Sequence, residues 1–336
     1  MITKFQFAIV GCGRIAIRHA EQIAAMGHLV AVCDTDFEKA ASLAKVFNAK
    51  AYASIEQMIA DEPSIQIVSI CTPNFLHAKQ SIFCLQKGKH VLCEKPMAIS
   101  LSDANNMIEA AASSGFKLFV VKSSRYTPII QTLKNCINKN LLGKIYSFQL
   151  NCVWNRSANY YESEWRGDLI KDGGTLYTQF SHYIDVLLWL LNEEVNEVSG
   201  FRSNLSQKKI DFEDTGTFSV KMKSGALGSI HYSVNAFEKN QEISLSIIAE
   251  KGTIKLGGEY MNEVIYQHPI LIDEHLQNLN NPANDYGEYR GSMSNHDKVY
   301  TNLINELNGN ESLIADGESA AKSIAFIEKI YQQIKL

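Results

Sequence analysis

Proline is scarce, long apolar runs are absent and the cysteines follow no pairing pattern, and each shortage removes a class of protein. Six prolines in 336 residues, with no low-complexity tract or internal repeat, leave no linker or disordered tail to account for. No apolar run reaches about 18 residues, the length a helix needs to cross a bilayer, so no membrane partner is expected. The seven cysteines (Cys12, Cys33, Cys71, Cys84, Cys93, Cys136, Cys152) are odd in number, lack C-x-x-C spacing and all lie in the first half. Several sit in apolar strand-like runs, where a thiol acts as a small hydrophobe, so neither disulfides nor a zinc or other metal site is expected. An excess of one charge is missing too: a net charge of -4 and a pI near 6.2 argue against nucleic acid as a partner. Met1-Ile2-Thr3-Lys4 leads straight into a strand-like run without the apolar core of a secretory leader, and cytoplasmic residence is the default expectation.

With 46% hydrophobic and 20% charged residues, the chain has the balance of a globular protein and the length for two domains. The first half has a βα rhythm. Phe5 to Val10 is apolar and runs into Gly11-Cys12-Gly13-Arg14-Ile15-Ala16, a G-x-G-x-x-A turn between a strand and a helix, where dinucleotide-binding folds cradle a pyrophosphate on the helix N-terminus. His28 to Cys33 ends in Asp34, placed either to hold an adenosine ribose diol, favouring NAD over NADP, or to cap the helix that begins near Phe37. Ile65 to Cys71 ends in Thr72-Pro73-Asn74, with His77 either a ligand contact or a first-turn helix residue. His90 to Cys93 ends in Glu94-Lys95-Pro96, which reads as an ordinary turn or as a lysine presented to a ligand. A helix over about 102–113 and a strand over 117–121, ending in Lys122, complete the series. Short strands separated by helices predict a parallel sheet, and Gly11, Asp34, Thr72 and Lys95 each follow a strand's carboxyl end, so four candidates fall on one edge.

From about residue 128 the rhythm changes. A helix (about 128–139) and a strand (145–154) precede strands near 195–203, 214–222, 226–236, 242–249 and 252–257, which describe an open antiparallel sheet. A helix is predicted over about 174–191, and there Thr178, His182 and Asp185 share a face. His182 suits proton transfer near neutral pH or is a structural histidine. Arg125, Arg156, Arg166 and Lys171 read as an anion-binding set or as solvated charges, and Tyr160 and Tyr161 as stacking or packing residues. The stretch Tyr286 to His296 reads as a surface loop before a helix at about 295–308, and a helix at 316–334 ends the chain. The expected architecture is an α/β Rossmann domain, 1-122, followed by an α+β domain with a large open, mainly antiparallel sheet, 123-336.

The chain resembles the Gfo/Idh/MocA oxidoreductases in the order and spacing of Gly11-Cys12-Gly13-Arg14-Ile15-Ala16, Thr72-Pro73-Asn74 with His77, Glu94-Lys95-Pro96, Arg125-Tyr126 with Pro128, Trp165-Arg166-Gly167, Asp172-Gly173-Gly174 and His182 with Asp185. Within that family it is similar to sugar-nucleotide 3-dehydrogenases that oxidise UDP-N-acetyl-2-amino-2-deoxyglucuronate for surface polysaccharides, and to a close relative acting on UDP-N-acetylglucosamine; the other readings are an inositol or free-sugar dehydrogenase and, from a different class, an NAD-binding regulator without catalysis. The resemblance implies NAD as cofactor, held by Gly11, Cys12, Gly13, Arg14, Ile15, Asp34, Thr72, Pro73, Asn74, His77, Glu94, Lys95, Trp165 and Arg166. It implies a UDP-sugar substrate at Lys95, Lys122, Arg125, Tyr160, Gln179 and His182, with Lys95 or His182 taking the hydroxyl proton. It also implies a cis Lys95-Pro96 bond and a homo-oligomer, dimer or tetramer, built through the C-terminal sheet. Two departures stand out. Thr178 replaces an acidic residue common in the family, and Ser123-Ser124 replaces Gln-Asn.

Overall fold

The computed structural model describes residues 4–287 and 289–336; Met1 to Thr3 and Glu288, which belong to the N-terminal lead-in and the 286–296 loop of the sequence reading, lie outside the described residues. Two compact units divide the chain, one running to Lys122 and including His296–Ile324, the other formed by Ser123–Asn295 and Ala325–Leu336.

In the first unit β1 (Gln6–Val10), α1 (Ala16–Met26), β2 (His28–Cys33), α2 (Phe37–Phe47), β3 (Lys50–Tyr52), α3 (Ile55–Asp61), β4 (Ile67–Ile70), α4 (His77–Gln86), β5 (His90–Cys93), α5 (Leu101–Ser114) and β6 (Leu118–Val120) follow one another. The strands pair in parallel in the order β6-β5-β4-β1-β2-β3. The central β4 reads Ile67-Val68-Ser69-Ile70 without alternation, and all four side chains are buried, as a strand covered on both faces requires. Local signals set the helix ends: Ser54 and Ser100 accept the N–H of Gln57 and Asp103 at the starts of α3 and α5, each satisfying a donor the helix cannot. Because the strands share one direction, the segments after β1, β2, β4, β5 and β6 leave the sheet along one edge.

The second unit contains α6 (Pro128–Asn138), β7 (Ile145–Val153), α7 (Leu169–Asp172), α8 (Ser181–Leu191), β8 (Val195–Ser203), β9 (Thr215–Met222), β10 (Leu227–Ser233), β11 (Glu242–Ala249), β12 (Gly252–Gly257), β13 (Glu263–His268), β14 (Ala283–Asp285) and β15 (Arg290–Met293). Its large sheet has the order β13-β12-β11-β7-β10-β9-β8, antiparallel except where β7 and β10 run parallel. In β9, buried Gly216, Phe218, Val220 and Met222 alternate with Thr217, Ser219 and Lys221, the period of a sheet with one face packed.

Four features depart from the sequence reading. The helix expected over 174–191 is not α-helical throughout: after Gly173 and Gly174, with φ values of +91° and +118°, a π-turn, Leu176–Phe180, leads directly into α8. A side chain at Gly174 would come within 2.5 Å of the Tyr331 hydroxyl, so glycine is required where the chain enters this helix. The 286–296 loop carries β15, which pairs with β14, and β13 escaped prediction because its exposed and half-buried residues do not alternate. Finally α9 (His296–Leu307) and β16 (Ala315–Asp316) return to the first unit, β16 adding antiparallel to β6, before α10 (Gly317–Gln333). A division at 122/123 alone contains no such return, because helical periodicity reports an apolar face and not the unit that face covers.

Candidate functional site

In the first unit the glycine-rich turn is shaped by its neighbours. Gly11 has φ +91°, and a Cβ there would lie 2.7 Å from the backbone of Cys71 and Thr72, so only glycine lets β1 end against β4. Among the described residues, none other than its chain neighbours comes within 4 Å of a Cβ position at Gly13, leaving room for a ligand to meet the backbone. The N-cap residue of α1, Ile15, makes no side-chain cap, so the first N–H groups of the helix suit anionic oxygens. Asp34 accepts the N–H of Cys12 at 2.7 Å and of Asp36 at 2.9 Å, tying the end of β2 to the turn. Asp36, not Asp34, occupies the N-cap of α2. Burial and then Asp34 push the Cys12 thiol up to about 12, which keeps it protonated. Cys12, Gly13, Arg14, Ile17, Leu43 and Val46 border an open depression beside the turn. Room at Gly13, an uncapped helix and a carboxylate at the end of β2 together fit a dinucleotide.

Further along the same edge, His77 links two strand ends. Its Nδ1 lies 2.7 Å from the Pro96 carbonyl and its Nε2 2.8 Å from the Thr72 carbonyl, so the buried ring spans the segments after β4 and β5. Thr72 itself donates its hydroxyl to Gln80 at 2.6 Å. The Lys95-Pro96 bond is cis. Glu94 is buried; its Oε2 accepts the Lys95 N–H at 3.0 Å and its Oε1 meets His19 Nε2 at 3.0 Å and His296 Nε2 at 3.2 Å. Burial pushes the Glu94 carboxyl up, and the hydrogen bonds from the two histidines override it and hold it well below the usual range. Neither histidine was singled out from the sequence, since His296 is 202 residues from Glu94 and no local pattern links them. Lys122 is buried and donates to Ser323 at 3.1 Å.

The second unit gathers a separate set. His182 lies in the first turn of α8, with Nε2 3.4 Å from Ser292 Oγ. The π-turn shifts Thr178 out of the α-helical phase that would align it with His182 and Asp185; Thr178 bonds Asp172 through both its carbonyl and its carboxylate. Asp185 grips Arg125 instead, with Nε–Oδ2 at 2.7 Å and a second bond of 2.8 Å. Gln179 bridges Arg156 and Tyr160, accepting from the former at 2.7 Å and donating to the latter at 2.8 Å. The Arg156 guanidinium is buried and lies within 5.3 Å of the centroids of Trp154, Tyr160 and Tyr289. Arg166 lies 4.4 Å from the Tyr160 ring and 5.3 Å from that of Trp165. Tyr160 is therefore packed between cations and other rings.

The buried histidines predict a pH response. Burial lowers both His19 and His77 below 6.5, and hydrogen bonds only partly offset it. A depressed folded-state value means that stability is fully present above the unfolded-state value of about 6.5 and is lost as pH falls through the folded values. Glu94 follows the same sign lower down, holding its contribution above about 4.5 and losing it as pH falls further. The urea midpoint is expected to be flat from about pH 8 to 7 and then to decline, with a limiting slope of about 1.4 kcal/mol per pH unit for each histidine. An unchanged midpoint at about pH 5 would contradict this.

Comparison with known proteins agrees with both units. Residues 5–122 match the model of the oxidoreductase family with an NAD-binding Rossmann fold, and residues 130–255 match the GFO/IDH/MocA C-terminal domain. The chain belongs to the Gfo/Idh/MocA family and is an NAD-dependent dehydrogenase of that family. Among solved structures it is similar to the WlbA dehydrogenase of Chromobacterium violaceum, crystallised with NADH and UDP-GlcNAcA, at 36% identity, covering 98% of this chain and 93% of that one with a TM-score of 0.89. It is also similar to the Bordetella pertussis WlbA dehydrogenase in complex with the same two ligands, at 32% identity, 98% and 96% coverage and a TM-score of 0.86. Glucose-6-phosphate 3-dehydrogenase of Bacillus subtilis is 27% identical over 84% of this chain and 83% of its own length.

Proposed function

We propose that the chain oxidises the C3 hydroxyl of a UDP-linked sugar, UDP-N-acetyl-2-amino-2-deoxy-D-glucuronate, to the 3-keto form. The observation that carries this reading is the 36% identity over 98% of the chain to a dehydrogenase solved with NADH and UDP-GlcNAcA. Bound NAD supplies the acceptor for the hydride that leaves the sugar carbon. Gly11, Gly13 and the start of α1 hold its pyrophosphate and Asp34 its ribose. Lys95 or His182 takes the hydroxyl proton, and Arg156 and Arg166 supply positive charge for an anionic sugar nucleotide. A sugar-phosphate substrate is the second reading, favoured by the similarity to glucose-6-phosphate 3-dehydrogenase.

The test mixes the protein and NAD with UDP-GlcNAcA, UDP-GlcNAc, glucose 6-phosphate and myo-inositol, and follows NADH by its near-ultraviolet absorbance. NADH is expected with UDP-GlcNAcA at a kcat/KM at least about tenfold above the others, a difference of about 1.4 kcal/mol in transition-state binding. Turnover of an unactivated polyol without preference for the UDP group would overturn the reading.

A further inference from the structure

A buried carboxylate is costly unless donors surround it, and Glu94 has three: the Nε2 atoms of His19 and His296 on Oε1 and the Lys95 N–H on Oε2. The protons in this network can be assigned. His19 Nδ1 lies 2.8 Å from the Tyr300 hydroxyl, which lies 2.8 Å from Ser69 Oγ. With Nε2 protonated, His19 donates to Glu94 and accepts from Tyr300, which accepts in turn from Ser69. His296 Nδ1 is buried with no hydrogen-bond partner among the described residues, so a proton there would be orphaned and the ring carries its proton on Nε2, facing Glu94. One Nε2–H from each imidazole and one carboxylate thus satisfy each other.

His19, Glu94 and His296 each offer one ligand atom, all within 4.8 Å of one another, a set that also resembles a metal triad. Binding a cation through both Nε2 atoms would move the His296 proton to Nδ1, where no acceptor waits, whereas metal-bound histidines almost always donate from the other nitrogen. The donor chemistry therefore favours a hydrogen-bonded support.

What it supports is the backbone of Lys95. Glu94 Oε2 holds the Lys95 N–H, and His77 Nδ1 contacts the Pro96 carbonyl at 2.7 Å. The Lys95 Cα, from which the ammonium is launched, is gripped on both sides. We propose that His19, His296 and Tyr300, acting through Glu94, are positioning residues for Lys95. This rests on the reading of Lys95 as a proton-transfer group.

The test uses the full chain and two independent readouts. In the NAD-free protein, 15N NMR of the His19 and His296 rings at neutral pH is expected to show protonated Nε2 and bare Nδ1 on both. An Nδ1–H tautomer of His296, or joint perturbation of both rings by stoichiometric Zn²⁺, would overturn the assignment. In the kinetic arm, His296→Leu is expected to lower kcat about 10²-fold, as misplacement of a catalytic group does, with sugar-nucleotide KM and NADH affinity within about threefold of wild type. His296→Gln, whose amide N–H replaces the lost donor, is expected to recover at least about tenfold of that loss. Equal kcat in His296→Leu and wild type, or a loss of the same size in Leu and Gln variants, would overturn positioning. Should His296→Leu fail to fold, Tyr300→Phe takes its place, with the His19 Nε2–H tautomer retained, a shifted His19 Nδ1 resonance and a lower kcat expected together, and a wild-type kcat counting against the proposal. If the wild type turns over no sugar nucleotide, the functional reading fails while the NMR result still decides the network.

Discussion

Replacing Lys95 by methionine is expected to lower NAD reduction about 10²- to 10⁴-fold, the range for removal of a general acid or base, while NADH binding measured by fluorescence titration persists. Methionine keeps the length and apolar stem and deletes the ammonium, so packing around the segment after β5 changes little. Lys95→Arg separates two roles. Arginine retains a cation but cannot release its proton in a protein, so it restores activity if Lys95 acts only as a charge and fails if it exchanges a proton. His182→Asn, which keeps a polar group of similar reach, is expected to lose turnover in the same range. Wild-type rates for both Lys95→Met and His182→Asn would remove both residues from the proton transfer.

How far such roles are legible in sequence differs between the two units. The parallel edge is written locally: each strand's carboxyl end is followed by its candidate residue, so Gly11, Asp34, Thr72 and Lys95 align once the strands run parallel. The second unit is less legible, because its site depends on contacts no period encodes. The α-helical spacing of Thr178, His182 and Asp185 assumes an unbroken helix, and the π-turn after Gly173-Gly174 alters that phase. Glu94 shows the limit most clearly. Its sequence neighbours suggested a cofactor contact, yet its carboxylate turns toward His19 and His296, one of them carried back to the first unit by α9. Arg125 likewise read as an anion holder, because nothing in the sequence indicates that Asp185 neutralises it.

That pair carries the second large expectation: Asp185→Leu is expected to destabilise the chain by about 3–5 kcal/mol, read as a fall in the urea midpoint of the full protein. Both side chains are buried, 6% exposed for Arg125 and 3% for Asp185, and the two bonds of 2.7 and 2.8 Å form a fork. Deleting the carboxylate takes both bonds of the fork and their negative charge from a guanidinium in a low-dielectric site; Trp189, with a ring centroid 5.5 Å away, contributes only about 0.5–2 kcal/mol through its π face. Replacing both, as Arg125→Met with Asp185→Leu, removes the two desolvation costs together and should cost less than either single change, since buried pairs exchanged for apolar residues are often neutral or stabilising. A double-mutant cycle reads the coupling directly. A coupling above about 2 kcal/mol assigns the Arg125 charge to the frame that holds α8, and with it His182, in place. A coupling near zero would instead release that charge for an anionic substrate, and Arg125→Met alone would then raise KM for the sugar nucleotide without moving the urea midpoint.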